Sequence, residues 1–149
     1  MEWMLLPLRR YAEFSGRSRR KEYWMFFLFV FLVYAVFGGL MFSAIWPAVT
    51  TGSTVPWGEM NAVGWLGLII LVVFTLAIFI PGLAVTVRRF HDRDMSGWWY
   101  LGFAVLGQIP KIGGLFSVAM LVLMALPGTP GPNRYGADPK DPLDTEAFA

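Results

Sequence analysis

The chain of 149 residues contains no cysteine. This absence excludes disulfide bonds, thiolate metal sites and cysteine nucleophiles. Histidine is almost absent as well, since His91 is the only one. A zinc site needs three or four ligands at matched spacing, and a single histidine does not supply them. We therefore expect neither a metal nor a cofactor.

Charged residues are also scarce: Asp, Glu, Lys and Arg make up 15% of the chain, against about 25% in ordinary soluble domains. The net charge of +2 is too small to indicate nucleic-acid binding, and most basic residues lie beside apolar runs. Basic residues in that position orient a protein in a membrane or contact anionic lipid. We expect membrane lipids, with anionic headgroups, as partners and no nucleic acid.

Two long segments carry no charge at all, one between Glu22 and Glu59 and one between Glu59 and Arg88. They contain the apolar runs 23–46 and 64–87, each longer as a helix than the roughly 30 Å hydrocarbon layer of a membrane. The pattern predicts two transmembrane helices. We expect the first to close at Pro47 and the second to be distorted at Pro81-Gly82, near its end.

A third apolar region covers residues 98–126. A straight helix through it would be about 43 Å long and would carry Pro110-Lys111 near its middle. Two structures fit: a kinked span with Lys111 reaching the surface, or a re-entrant helical hairpin that folds back at Pro110–Gly114. The predicted fold class is therefore all-α, a polytopic helical membrane protein forming a single membrane domain of residues 1–149.

The distribution of lysine and arginine predicts the orientation. Segment 1–22 holds six of them, the predicted loop 47–63 holds none, and the predicted loop 88–97 holds three. We expect the N-terminus and loop 88–97 on the cytoplasmic side, with loop 47–63 outside. The side of the polar tail, residues 127–149, depends on whether the third region spans or folds back.

The segment Arg17–Trp24 joins a basic cluster to an aromatic pair at the start of the first span. Such a segment is a common topology signal with an aromatic anchor, and it is also able to bind an anionic headgroup or the acidic groups of a partner. In the second basic segment, 88–94, acids alternate with bases, and Arg88 with Asp92 forms a helical i, i+4 pair if the helix continues. We expect the first set of arginines to be unpaired and the second to be half-neutralised by Asp92 and Asp94.

Aromatic residues and turn formers complete the candidate site. Trp98 and Trp99 stand where the chain re-enters the membrane, as an interfacial belt requires, and ligand stacking is the alternative. The tail is rich in turn formers, and a hairpin would bring its motif to both basic segments as one composite site. The candidate lipid- or partner-binding residues are Arg17, Arg19, Arg20, Lys21, Trp24, Arg88, Arg89, His91, Asp92, Trp98, Trp99, Asn133, Arg134 and Tyr135.

Four segments carry a resemblance to one family: residues 14–24 (FSGRSRRKEYW), 88–92 (RRFHD), 96–99 (SGWW) and 128–139 (GTPGPNRYGADP). In this order they resemble the YhaH-like bacterial inner-membrane proteins, domain of unknown function eight hundred and five. The resemblance implies a small multi-pass protein of the bacterial inner membrane, and it implies no activity, substrate or cofactor. A longer first loop and the longer third region with Lys111 depart from the family pattern and bear on the number of spans.

Three functions compete. The leading hypothesis is a non-enzymatic protein whose basic cytoplasmic rim contacts anionic lipid or a protein partner, either another membrane protein or a second copy. The second is a small oligomeric transporter or channel subunit that uses the Pro110–Gly114 break and Lys111, because a charge inside an apolar region is a functional suspect. The third is a surface enzyme acting through His91 and Asp92. No catalytic motif appears, so we assign no catalytic residue.

Overall fold

The structure is a computed structural model that describes residues 2–52 and 60–140. Residues 53–59 of the predicted loop 47–63 and residues 141–149 of the predicted tail lie outside the described part. The described residues form five α-helices and no strand, so the all-α prediction is confirmed. The helices are α1 (Glu2–Arg9), α2 (Arg20–Thr51), α3 (Ala62–His91), α4 (Trp99–Leu106) and α5 (Gly113–Ala125).

Helices α2 and α3 correspond to the two predicted spans, and both are long and apolar enough to cross a membrane. The core helix of a soluble protein would be mostly buried. Here only 6% of the most apolar stretch of α2 and 17% of that of α3 are buried. Phe31 on α2 and Leu76 on α3 are about two-thirds exposed. Apolar surface on this scale fits a lipid environment.

Helix α2 extends beyond the predicted span at both ends. It begins at Arg20 and continues through Pro47 to Thr51, so the prediction that it ends at Pro47 is wrong. Proline removes one helical hydrogen bond without necessarily ending a membrane helix. The hydroxyls of Thr50 and Thr51 donate to the carbonyl of Pro47 at 2.9 and 3.0 Å, which ties the last turn to the helix.

Helix α3 passes through Pro81 and continues to His91, so residues 88–91 are helical and the prediction of a loop there is wrong. The extra turn forms because its side chains find partners inside the protein: Arg88, Arg89 and Phe90 are all fully buried. Basic residues in a last turn are also favoured by the helix dipole. The connection to α4 is therefore limited to residues 92–98.

The third apolar region is a helical hairpin, and the kinked-span alternative is wrong. Its helices α4 and α5 have 8 and 13 residues, too few for either to cross a bilayer. Phe103 of α4 stacks on Phe90, and Met124 of α5 accepts a hydrogen bond from Arg89, so both helices contact the last turn of α3. The chain reverses between Gly107 and Ile112, with Lys111 at a φ of 73°.

The described residues form two compact units, one within residues 1–26 and 80–149 and the other within residues 27–79. In the second unit α2 packs closely on α3. The hydroxyls of Tyr34 and Thr75 lie 2.6 Å apart, and a Cβ at Gly67 would approach the carbonyl of Phe37 to 3.0 Å. The first unit contains every candidate site residue, as well as α1, α4 and α5.

Candidate functional site

The site is built around the carboxylate of Asp92, which directly follows α3 and is 1% exposed. Its Oδ1 accepts from Nε of Arg17 at 3.1 Å, and its Oδ2 accepts from Nη1 of Arg89. Both arginine side chains are buried. One carboxylate is thus shared by two guanidinium groups, and buried charges need such pairing because desolvation is costly. We call Arg17, Arg89 and Asp92 the Asp92 cluster.

Arg17 links the Asp92 cluster to the tail. Its Nη1 donates to the carbonyl of Gly131 and its Nη2 to that of Thr129, both at 2.6 Å. The amide of Thr129 in turn donates to the backbone carbonyl of Asp92 at 2.8 Å. The expectation that the first basic set is unpaired is therefore wrong for Arg17, whose three guanidinium nitrogens each donate to an acceptor in the protein.

Gly128 allows the tail to reach Asp92. A Cβ at this position would overlap the Asp92 carboxylate and its backbone carbonyl. Only glycine permits so close an approach of backbone to side chain. The glycine-rich tail, predicted as a shaped loop, is thus fitted directly against the end of α3.

Arg89 also caps the end of α5, where helical carbonyls lack partners within their own helix. Its Nε donates to the carbonyl of Met124 at 3.1 Å, and its Nη2 donates to that of Leu126. Arg20 adds a longer bond of 3.3 Å to the carbonyl of Ala125. A cation at a helix C-terminus is favoured by the helix dipole, so these two arginines fasten the hairpin to α2 and α3.

The i, i+4 pattern predicted that Arg88 pairs with Asp92, and this prediction is wrong. Arg88 pairs with Glu22 instead. Its Nη2 lies 3.1 Å from Oε1 of Glu22, and both side chains are almost fully buried. Asp92 instead pairs with Arg89, three residues away on the helix. Glu22 was missed by the sequence reasoning. The position of Glu22 in the sequence could have identified it. Glu22 is the last charged residue before the first long apolar run, and a carboxylate at the edge of a membrane span needs a partner.

His91 is held by the N-terminal segment and the tail. Its Nδ1 lies 3.2 Å from the carbonyl of Gly16, which only accepts, so Nδ1 carries the proton. Its ring stacks on Tyr135 with a centroid distance of 3.9 Å. The Asp92 carboxylate is taken by two arginines, so His91 and Asp92 form no acid–base pair. This geometry gives the enzyme hypothesis no support.

Asn133 closes the tail loop over His91. Its Nδ2 donates to the carbonyl of His91 at 2.9 Å and to Oγ1 of Thr129 at 3.0 Å. Its Oδ1 accepts from the amide of Tyr135 at 2.9 Å. The structure therefore brings the two basic segments and the tail motif together, as the composite-site hypothesis expected.

The remaining candidate residues are more exposed. Arg134 forms an ion pair with Asp94 at 3.1 Å, in which both side chains are about half exposed. Trp98 is 77% exposed, and Trp24 and Trp99 are also exposed, as expected for interfacial residues. Around α1, Arg19 and Lys21 each lie over the ring of Trp3, at 5.6 and 5.5 Å.

Lys111, the residue named for the transporter alternative, lies exposed in the turn of the hairpin. None of the contacts of the described residues favours that alternative. Within the same residues, no three acidic or histidine side chains are grouped to hold a metal ion.

Comparison with known proteins identifies relatives across nearly the whole chain. Inner membrane protein YhaI of Escherichia coli is 40% identical over 94% of this chain and 97% of its own length. Inner membrane protein YhaH of the same organism is 38% identical over 94% of this chain and 98% of its own length. The uncharacterized protein YiiR is 34% identical over 41% of this chain.

No solved structure matches the chain. The names of YhaI and YhaH, together with the apolar helices α2 and α3, give this protein an inner-membrane location. Residues 11–137 match the family described as "Protein of unknown function (DUF805)". The matched range includes the Asp92 cluster and the tail residues Thr129 and Gly131 that Arg17 contacts, and the chain therefore belongs to the DUF805 family of inner-membrane proteins of unknown function.

Proposed function

We propose that this non-enzymatic protein crosses the inner membrane more than once, with its N-terminus and its tail in the cytoplasm. The six lysine and arginine residues before Glu22 and their absence from residues 47–63 support that orientation. The hairpin supports a cytoplasmic tail, because α4 leaves the last turn of α3 and α5 returns to it. In a membrane, the hairpin is then re-entrant.

We further propose that an exposed basic patch on this side contacts anionic lipid headgroups. The observation that carries the proposal is the division of the basic residues into two groups. Arg17, Arg88 and Arg89 are buried and hold the protein together, whereas Arg9 and Lys21 are exposed. The lipid contact is therefore assigned to the exposed basic residues instead of the buried arginines. We call Arg9 and Lys21, with Trp3, the α1 patch.

Exposed cations at a membrane surface each gain about 1 kcal/mol from anionic lipid. Trp3 lies against Lys21 and is the kind of side chain that anchors at headgroup level. An acidic protein partner, or a second copy of the chain, is the competing occupant of the same patch.

The orientation can be tested with single cysteines, since the chain has none of its own. We expect Ser15→Cys and Lys140→Cys to react with an impermeant maleimide only after the inner face is opened. Asn61→Cys should react from outside in intact spheroplasts. Labelling of Lys140→Cys from outside would contradict the hairpin topology, and labelling of Ser15→Cys from outside would contradict the orientation.

The lipid contact can be tested by native mass spectrometry of the purified protein with phosphatidylglycerol. The Arg9→Gln/Lys21→Gln double variant should retain anionic lipid about 30-fold more weakly, on the estimate of about 1 kcal/mol per basic residue. Lys111→Gln/Lys140→Gln removes the same charge elsewhere and serves as the matched control. Equal retention by the two double variants would contradict a contact at the α1 patch.

A further inference from the structure

A cavity of about 390 Å³ lies in the first unit, and His91 and Tyr135 are among the residues that line it. The site described above gives this cavity no role. Its walls come from α3 and α4, through Leu83, Val87 and Leu101, and from Phe14 of the N-terminal segment. The volume is within the range of small-molecule pockets, and such pockets are mostly apolar with a few polar groups. The apolar side chains of these walls are suited to contact with a hydrocarbon chain.

Polar groups line another part of the same cavity. They are the hydroxyl of Ser96, the ring of His91 and the ring of Tyr135, which stacks on His91. The guanidinium of Arg134 lies 4.8 Å from the centroid of the Tyr135 ring. Arg134 does not line the cavity itself but lies against Tyr135, which does. Apolar walls, polar groups and a cation at this distance suit an amphipathic molecule with an anionic head.

Arg134 is held by Asp94 through the half-exposed ion pair and through a bond of 2.6 Å from its Nη2 to the backbone carbonyl. Exposed pairs contribute little, so the guanidinium is open to competition from a stronger anion. A phosphate offers a guanidinium a stronger, bidentate contact. Trp98, which also lines the cavity, is 77% exposed, and a tryptophan in that state is typical of the headgroup level of a membrane. Phospholipid is the amphipathic molecule present at that level.

We propose that this cavity binds one acyl chain of an anionic membrane phospholipid, with the phosphate against Arg134. The site is separate from the α1 patch, since neither Arg9 nor Lys21 lines it. The proposal of an acyl-chain site is therefore independent of the headgroup contact proposed above.

The test uses the full chain in nanodiscs of phosphatidylcholine with a small fraction of phosphatidylglycerol that carries a photoreactive diazirine in its acyl chain. After illumination, mass spectrometry locates the labelled residues. We expect labelling at Leu83, Val87 and Leu101 to saturate at one lipid per protein, whereas labelling of the exposed face at Leu76 should rise in proportion to the probe. Labelling of the cavity that also rises without saturation would overturn the proposal.

Competition identifies the ligand class. Unlabelled phosphatidylglycerol should remove the cavity label, whereas added phosphatidylcholine at the same concentration should not. Equal competition by both would overturn the anionic head, and stronger competition by palmitate would overturn the assignment to a phospholipid. Arg134→Gln should abolish the preference for phosphatidylglycerol, and a preference unchanged in this variant would exclude the phosphate contact.

Filling the cavity provides the matched pair of variants. Leu83→Trp should lower the cavity label about tenfold. The larger side chain excludes about two methylene groups of the acyl chain from the cavity, and the lost burial of two such groups weakens binding by about that factor. Leu76→Trp makes the same change two turns earlier on the same helix, at an exposed position that does not line the cavity, and should leave the label intact. Leu101→Trp fills the cavity from α4 and serves if Leu83→Trp does not fold. Full labelling in a folded filling variant would overturn the site.

Discussion

The guanidinium of Arg17 and the carboxylate of Asp92 meet at 3.1 Å, although 75 residues of chain separate them. Both side chains are 2% exposed. A buried pair of this kind contributes little net stability compared with apolar residues, yet removal of one member is costly because the other charge is left unpaired. The pair therefore makes the N-terminal segment, the end of α3 and the tail depend on one another.

Asp92→Asn is expected to destabilise the protein by about 3–5 kcal/mol, because it leaves the buried guanidinium groups of Arg17 and Arg89 without a counter-charge. The measurement is the free energy of unfolding in detergent. Asp94→Asn is the matched control: its pair with Arg134 is exposed, so the loss should be below about 1 kcal/mol. Similar losses in the two variants would show that Asp92 is not the centre of the network.

Arg89→Lys is expected to loosen the hairpin while keeping the charge. A lysine lacks the planar fork that serves Asp92 and the carbonyls of Met124 and Leu126 together. Each carbonyl left without a donor costs about 1–3 kcal/mol. Hydrogen exchange should accelerate at the end of α5, at the amide of Leu126 above all.

Arg93→Lys is the control for Arg89→Lys, because Arg93 makes only one exposed bond, to the carbonyl of Pro127, that the structure describes. It should leave exchange in α5 unchanged. If Arg89→Lys also leaves exchange unchanged, the hairpin is held by packing alone and the capping role of Arg89 is refuted.

The long helices could be predicted from the sequence because the absence of charge over more than twenty residues leaves few alternatives in a membrane protein. Their ends could not. Whether α3 stops at Val87 or continues to His91 depends on burial of Arg88 and Arg89, and their partners, Glu22 and the end of α5, are distant in sequence. The sequence offers local pairs such as Arg88 with Asp92, and tertiary contacts replace them.

The sequence left two alternatives for the third apolar region, a kinked span and a hairpin. The interruption at Pro110-Lys111 is compatible with both of them. What decides it is the return of α5 to Arg89 and Arg20, a contact between residues over 30 positions apart. The meeting of the three motif segments was expected only on condition of that hairpin. The burial of Arg17 was not expected, because its acceptors are backbone carbonyls of Thr129 and Gly131, which any residue possesses.

Gly128→Ala is expected to destabilise the protein by about 1–3 kcal/mol, the usual cost of overpacking, because the added methyl group overlaps Asp92. Gly114→Ala is the control: nothing lies near its Cβ position and it is in the first turn of α5. Alanine there should be neutral or stabilise by up to about 1 kcal/mol. Thermal unfolding measures both, and a neutral Gly128→Ala would contradict the close fit of the tail to Asp92.

The tail loop should loosen in acid through Asp138. The amides of Lys140 and Gly131 donate to its carboxylate at 2.9 and 3.0 Å, and these bonds, that of Lys140 above all, hold the pKa of Asp138 below its usual value of 3.8. A lowered pKa means that the charged form favours the folded loop. The stabilisation is complete above pH 3.8 and disappears as the pH falls through the lower pKa of the folded state.

Hydrogen exchange at the amide of Gly131, corrected for the intrinsic pH dependence of exchange, measures this effect. Protection should fall as the pH is lowered below the usual pKa of an aspartate. Asp138→Asn keeps an oxygen acceptor but has no charge to lose, so its protection should be weaker and independent of pH over the same range. The carbonyl of Gly131 also accepts a hydrogen bond from Arg17, so loosening of the tail loop in acid should weaken that bond as well. An identical pH dependence in Asp138→Asn would assign the effect to another carboxylate.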